Sequence, residues 1–138
     1  IDVKKAEDPK KEIDEAEKAA EKIPELPVGA VRRLKNIKAN ASDNTVEIIV
    51  SADGPVRDYK NFFLLKESPP KLVVDIKGKW KYGGKYTMDV NSDLISKIRV
   101  AEHNEKEFFR IVMDLKVREG MTPVFNEDAK GLVIIVKK

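Results

Sequence analysis

The sequence has no cysteine, and only one histidine and one tryptophan in 138 residues. Without Cys, disulfides, thiolate catalysis and Cys-ligated metals are excluded. A zinc site usually needs at least two His and a carboxylate. The lone His103 sits in the polar stretch Glu102-His-Asn-Glu105 and reads as a solvated turn residue. No Gly-rich phosphate loop, nucleophile elbow or His-bearing triad is present, and Gly83-Gly84 reads as a turn. Long apolar runs are missing too. The longest are Leu132–Val136 and Phe62–Leu65, far short of the ~18–20 residues of a membrane span or the ~7–15 of a signal-peptide core. The chain opens on Ile1 rather than Met, so it is expected to be a processed or trimmed form carrying no signal sequence of its own. No catalytic residue, cofactor or metal is expected.

What is present is charge, 37% of residues, beside a hydrophobic share of 41%. The net charge of +3 is unevenly spread. Residues 1–30 hold six Lys against nine Asp or Glu, a balance of −3, which leaves 21 basic against 15 acidic residues, or +6, beyond them. That first stretch reads as a charged leader. Asp8-Pro9 starts a helix over about residues 9–23, with the pairs Lys11–Glu15 and Asp14–Lys18 along it. Its apolar stripe (Ile13, Ala16, Ala20, Ile23) is thin, and Pro24 and Pro27 end it in a spacer. A mildly basic domain over residues 31–138 suits an anionic partner: a cell-wall polymer, nucleic acid or lipid headgroups.

From Val31 the pattern changes to short strands separated by turn signals. Strands are predicted over Val31–Ala39, Thr45–Asp53, Tyr59–Lys66, Lys71–Lys77, Tyr86–Val90, Ile95–Glu102, Lys106–Val117, Thr122–Asn126 and Leu132–Lys137. Asn40–Asn44, Gly54-Pro55 and Ser68–Pro70 read as turns, and Gly78–Tyr86 as a basic, aromatic loop. Alternation puts Leu72, Val74 and Ile76 on one face and Val73, Asp75 and Lys77 on the other. It likewise opposes Ile111, Met113 and Leu115 to Arg110, Val112, Asp114 and Lys116. The chain also repeats. Leu34–Ala39 aligns with Ile95–Val100, Val46–Val50 with Phe109–Met113 after a two-residue adjustment, and Leu72–Ile76 with Leu132–Val136. The expected fold is all-β: an antiparallel two-sheet sandwich with internal pseudo-symmetry, one small sheet from each half, preceded by a short N-terminal helix or flexible leader.

The order of these segments carries a family resemblance. Thr45–Val50 is followed by Tyr59–Leu65 leading into Pro70-Lys-Leu-Val-Val-Asp-Ile76, then Ile98-Arg-Val100, Phe109-Arg-Ile-Val-Met-Asp-Leu115 and a closing strand. Over about residues 31–138 this resembles the AMIN domain, a module found beside cell-wall N-acetylmuramoyl-L-alanine amidases and in type IV pilus secretins. Lys71 stands where that family often has Arg. The resemblance implies a two-sheet β fold, a periplasmic location and a role in holding a partner protein at peptidoglycan. The zinc amidase that such modules accompany is not encoded here, since one His cannot build it.

The candidate binding residues fall in two groups. Arg99 and Arg110 stand on strand faces turned away from the apolar residues, where a guanidinium fork can bind stem-peptide carboxylates or pair with Asp75, Asp114 or Glu47. Lys79, Trp80, Lys81 and Tyr82, with Tyr86 nearby, can stack on sugar rings and meet carboxylates; alternatively, Trp80 plugs the core edge. Asp75 and Asp114 read as cross-strand charge partners rather than an acid/base pair. The function expected is a non-catalytic, periplasmic cell-envelope targeting module that binds peptidoglycan or another cell-wall polymer. Its rivals are a protein–protein scaffold for cell-envelope proteins in a pilus or secretion assembly and, ranked last, a single-stranded nucleic-acid binder.

Overall fold

The computed structural model describes residues 30–138, so the leader and its helix over 9–23 lie outside the described residues. Ten strands follow: β1 (Val31–Ser42), β2 (Thr45–Ala52), β3 (Tyr59–Leu64), β4 (Lys71–Lys77), β5 (Lys79–Tyr82), β6 (Thr87–Asp89), β7 (Ile95–His103), β8 (Phe108–Leu115), β9 (Thr122–Asp128) and β10 (Gly131–Lys137). They form two five-stranded sheets, ordered β9-β10-β2-β1-β5 and β3-β4-β8-β7-β6. Every pairing is antiparallel except β1 with β5. Residues 31–138 form an all-β two-sheet sandwich.

Period-two patterning builds both layers. Along β2 and again along β8, half-buried and buried residues alternate at every step. The buried set (Val46, Ile48, Val50; Phe109, Ile111, Met113, Leu115) meets Leu72, Val74, Ile76, Leu132, Ile134 and Val136 in one core. Each such aliphatic side chain contributes about 1.5–3 kcal/mol on full burial.

The sequence repeat is a structural repeat, down to register. Ile37 pairs with Val50 and Ala39 with Ile48, as Ile98 pairs with Met113 and Val100 with Ile111. Leu72, Val74 and Ile76 face Met113, Ile111 and Phe109, as Leu132, Ile134 and Val136 face Val50, Ile48 and Val46. A bulge falls in the same slot of each half, at Lys35 and at Ser96. Among the described residues the two non-glycine positions with left-handed backbone, Asn44 (φ 57°) and Glu107 (φ 61°), are also equivalent. Each turns its hairpin and accepts a strand-end N–H, from Lys138 and Gly78 respectively. The halves are interlocked, however, rather than one sheet each. β1-β2 and β9-β10 make one sheet, while β7-β8 and β3-β4 make the other, so each half sends two strands to each layer. Alternation fixes which face of a strand is buried, but not which sheet receives it.

Two other expectations change. Asn40, Ala41 and Ser42 extend β1 instead of forming a turn, because the hairpin needs only Asp43 and Asn44. Lys79–Tyr82, expected as loop, is strand β5. It runs parallel to β1, with Arg32 beside Trp80 and Leu34 beside Tyr82. Its other edge is held by side chains: Asn104 accepts from the Trp80 N–H (2.9 Å) and donates to its carbonyl (3.0 Å), while Glu102 accepts from the Tyr82 N–H (2.7 Å). Asn104 lies in the connection that is two residues longer between β7 and β8 than between β1 and β2. β5 and β6 are the strands that break the symmetry.

Candidate ligand-binding face

The six candidate residues do not come together. Trp80 is 1% exposed, its indole N–H bonded to the Lys77 carbonyl (3.1 Å) and its ring covered by the Arg32 guanidinium 4.6 Å away. Tyr82 is also buried, its hydroxyl donating to the Lys85 carbonyl (2.7 Å) and its ring against Phe109. Neither offers a face to a sugar ring, which corrects the stacking role expected of the Trp80 stretch. The physical reason is the alternation within β5 itself, where Trp80 and Tyr82 point inward while Lys79 and Lys81 point outward on the β9-β10-β2-β1-β5 sheet. Arg99 and Arg110 stand on the outer face of the opposite sheet.

That opposite face has a defined centre. Across the strands, Lys60, Asp75, Arg110 and Ala101 form one row. Lys77, Phe108 and His103 form the row on one side; Phe62, Val73, Val112, Arg99 and Thr87 form the row on the other. Arg110 grips Asp75 with both arms, Nε to Oδ1 at 2.8 Å and Nη2 to Oδ2 at 2.9 Å. Its guanidinium lies between two rings, 5.1 Å from the Phe108 centroid and 5.8 Å from that of Phe62. Asp75 is only 5% exposed and Val73 only 2%, although both point away from the core. Their neighbours Phe62 and Arg110 lie over this part of the sheet. Hydrogen bonding to Asp75, working against burial, pushes the Arg110 pKa above its already high ordinary value. The guanidinium is therefore a permanent cation in a fixed pose, and its two bonds to Asp75 leave three of its five N–H donors unspent.

Arg99 is held in the same manner, Nη2 to Asp114 Oδ1 at 2.7 Å, but more openly. His103, read from sequence as a solvated turn residue, closes β7 and stacks on Phe108 with centroids 4.7 Å apart. Phe62, Phe108 and His103 are thus the aromatic surface that sequence reasoning missed. Phe108 had a signal: two residues before Arg110 on an alternating strand, it must share the arginine's face. Ala101, opposite Arg110, is the small residue between His103 and Arg99 on this face of β7. The cations Lys60, Lys71, Lys77 and Lys97 surround this centre, with Asp89 the remaining outward carboxylate of these strands. Among the described residues no three His, Cys, Asp or Glu side chains converge on a point that could hold a metal. The arrangement is suited to holding an anion against aromatic surface.

Comparison with known proteins agrees with this architecture. The family model of the AMIN domain matches residues 36–135, from within β1 to within β10. No curated protein and no solved structure matches the chain. AMIN domains are periplasmic, peptidoglycan-associated targeting modules of amidases and secretins and are themselves non-catalytic. The interlocked ten-stranded sandwich with its paired arginines belongs to the AMIN domain family.

Proposed function

We propose that this chain binds peptidoglycan in the periplasm through the outer face of the β3-β4-β8-β7-β6 sheet, as a targeting module without catalysis of its own. The observation that carries the reading is Arg110, fixed by Asp75 between Phe62 and Phe108 with three donors left for a ligand. A stem-peptide carboxylate accepts from those donors, and the Phe108–His103 stack takes the apolar face of a sugar or lactyl group. Arg99, two residues from Ala101 on the same face of β7, offers a second charged contact. Because the site lies on an open sheet face, single contacts are weak, and affinity comes from repeated sites along a polymer.

Co-sedimentation with purified peptidoglycan tests this. The wild-type chain pellets, Arg110→Lys, which keeps the charge but loses the fork, pellets about tenfold less, and Arg99→Ala has a smaller effect. A wild-type chain that stays in the supernatant ends the proposal. Wild-type pelleting that Arg110→Lys leaves unchanged moves the site elsewhere, with Lys79 and Lys81 of the opposite face next to test. Binding that falls steeply with salt and is competed by single-stranded DNA would instead favour a nucleic-acid ligand.

A further inference from the structure

The two sheets end differently on the side where Tyr59 stacks on Phe125, ring centroids 5.1 Å apart. One edge there is β9, the other β3. The ladder bonds fix which backbone groups each edge leaves open. Lys138 N–H bonds to Asn44 O, so even-numbered β10 residues bond to β2 and odd-numbered ones to β9. The open positions of β9 are therefore Pro123, Phe125 and Glu127. Pro123 has no N–H, which blunts that edge. On β3, the bond from Lys77 N–H to Asp58 O makes residues 60, 62 and 64 the ones paired to β4. Tyr59, Asn61 and Phe63 thus turn three N–H and three C=O groups outward, and among the described residues no strand lies beyond them. By the repeat, Tyr59 occupies the slot of Pro123 and Asn61 that of Phe125, so the equivalent edge lacks its proline.

The order of side chains along this edge says what fits it. Laid antiparallel against itself about Asn61, the strand Tyr59–Leu64 sets Asn61 beside Asn61 of a second copy, Tyr59 beside Phe63, and Lys60 beside Phe62. No like charges meet. The Asn61 pair bonds side chain to side chain and fixes the register, the Tyr59 and Phe63 rings pair on the inner side, and Lys60 lies over an aromatic face on the outer. We infer that β3 is a self-association edge, through which a second copy of this chain extends the sheet antiparallel about Asn61. The two-fold axis is perpendicular to the sheet, so both Arg110 faces point the same way, about 24 Å apart at five strand spacings. If that face binds peptidoglycan as proposed above, the dimer is a bivalent reader of one polymer surface; the dimer itself does not depend on that reading. Two six-residue strands bury less than the about 1,200 Å² of a stable complex, so association is weak and appears at high concentration.

Sedimentation equilibrium on the 138-residue chain tests the inference. The expected mass rises with concentration from 15.6 kDa toward twice that value. Asn61→Pro removes an N–H that β4 does not use, so it leaves the fold intact by circular dichroism while weakening self-association at least tenfold. The cysteine-free chain gives a second readout. Asn61→Cys is captured as a dimer by a short bis-maleimide, whereas Lys130→Cys at the β9-β10 hairpin tip is not. A chain that stays at 15.6 kDa at all concentrations overturns the inference. So does a dimer that Asn61→Pro leaves unchanged, or one that crosslinks equally through Lys130→Cys. Peptidoglycan pelleting is measured separately on Asn61→Pro, so loss of the dimer and loss of the binding face are distinguishable.

Discussion

The outer faces of the two sheets are built from the same repeated strands, yet they carry opposite kinds of centre. Arg110 on β8 corresponds to Glu47 on β2, and Asp75 on β4 to Ile135 on β10. Val112 and Val73 correspond to Ile49 and Val133. One face therefore holds an ion pair framed by Phe62 and Phe108. The other holds an aliphatic patch of Ile49, Val124, Val133 and Ile135 with a single carboxylate beside it. The inward residues at the same positions remain interchangeable aliphatics and Phe109. Duplication gave two equivalent surfaces, and the core constrains both alike. The change from apolar to charged is confined to the outward-pointing residues, which is where a binding role is expressed.

The sharpest way to break the equivalence is at the start of β4 and β10. Lys71 and Gly131 are equivalent, but β3 reaches β4 through the longer segment 65–70, whereas β9 reaches β10 through Ala129 and Lys130 alone. The tight hairpin puts Gly131 at φ +150° with its would-be Cβ 1.9 Å from the Val50 carbonyl oxygen. Gly131→Ala is expected to cost about 3–4 kcal/mol in urea unfolding, against less than about 0.5 kcal/mol for Lys71→Ala. Equal costs would mean that the hairpin relaxes freely and that the asymmetry of the connections is without consequence.

A smaller effect is expected at the centre of the faces. Arg110→Ala strands the buried Asp75 carboxylate and should cost about 2–3 kcal/mol, discounted from the fully buried case because the arginine is partly exposed. Its counterpart Glu47→Ala should cost less than about 0.5 kcal/mol. Replacing the ion pair by an aliphatic one, Asp75→Ile (the residue at Ile135 in the sister sheet) with Arg110→Val, should restore stability to near wild type while removing peptidoglycan pelleting. A double variant as unstable as Arg110→Ala would show that the pair holds the sheet together rather than serving a ligand.

Much of this was legible from residue order, for stated reasons. Alternation identified Leu72, Val74 and Ile76 as core and Asp75 as outward, and the repeat identified two equivalent halves, which the structure extends to matching bulges at Lys35 and Ser96. The interlocking of the halves was not legible, because side-chain period is blind to which sheet a strand joins. Nor was β5, since its partner β1 lies more than forty residues earlier and its other edge is satisfied by the Asn104 and Glu102 side chains. Reading Lys79–Tyr82 by alternation, rather than as basic and aromatic composition, would have hidden Trp80 and Tyr82 and left the lysines outside. The arginine–aspartate pairing was among the readings of Arg99 and Arg110. The aromatic frame required knowing that β3 lies beside β4 and β7 beside β8.

The smallest effect compares the strand ends that follow β2 and β8. Asp53 and Lys116 are equivalent, and each donates its N–H to the start of the neighbouring strand, to Arg33 O (3.0 Å) and Leu94 O (2.8 Å). Only the first half adds a carboxylate there: Asp53 Oδ2 accepts from the Arg33 N–H (2.9 Å) and Oδ1 from Arg32 Nε (3.0 Å), the same guanidinium that covers Trp80. Burial pushes the Asp53 pKa up, but the Arg33 N–H and the Arg32 side chain together outweigh it and hold the carboxyl below its ordinary 3.8. A depressed folded-state pKa stabilises fully above the unfolded value and is lost as pH falls through the folded one. Asp53→Asn should therefore reduce stability at pH 7 by less than about 1 kcal/mol, as befits an exposed pair. The difference from wild type should shrink below pH 4, whereas Lys116→Gln should show no such acid-dependent change. A gap between Asp53→Asn and wild type that is as wide at pH 3 as at pH 7 would mean that Asp53 acts through its shape and hydrogen bonds. The charge that distinguishes this strand end from its twin would then contribute nothing to holding Arg32 over Trp80.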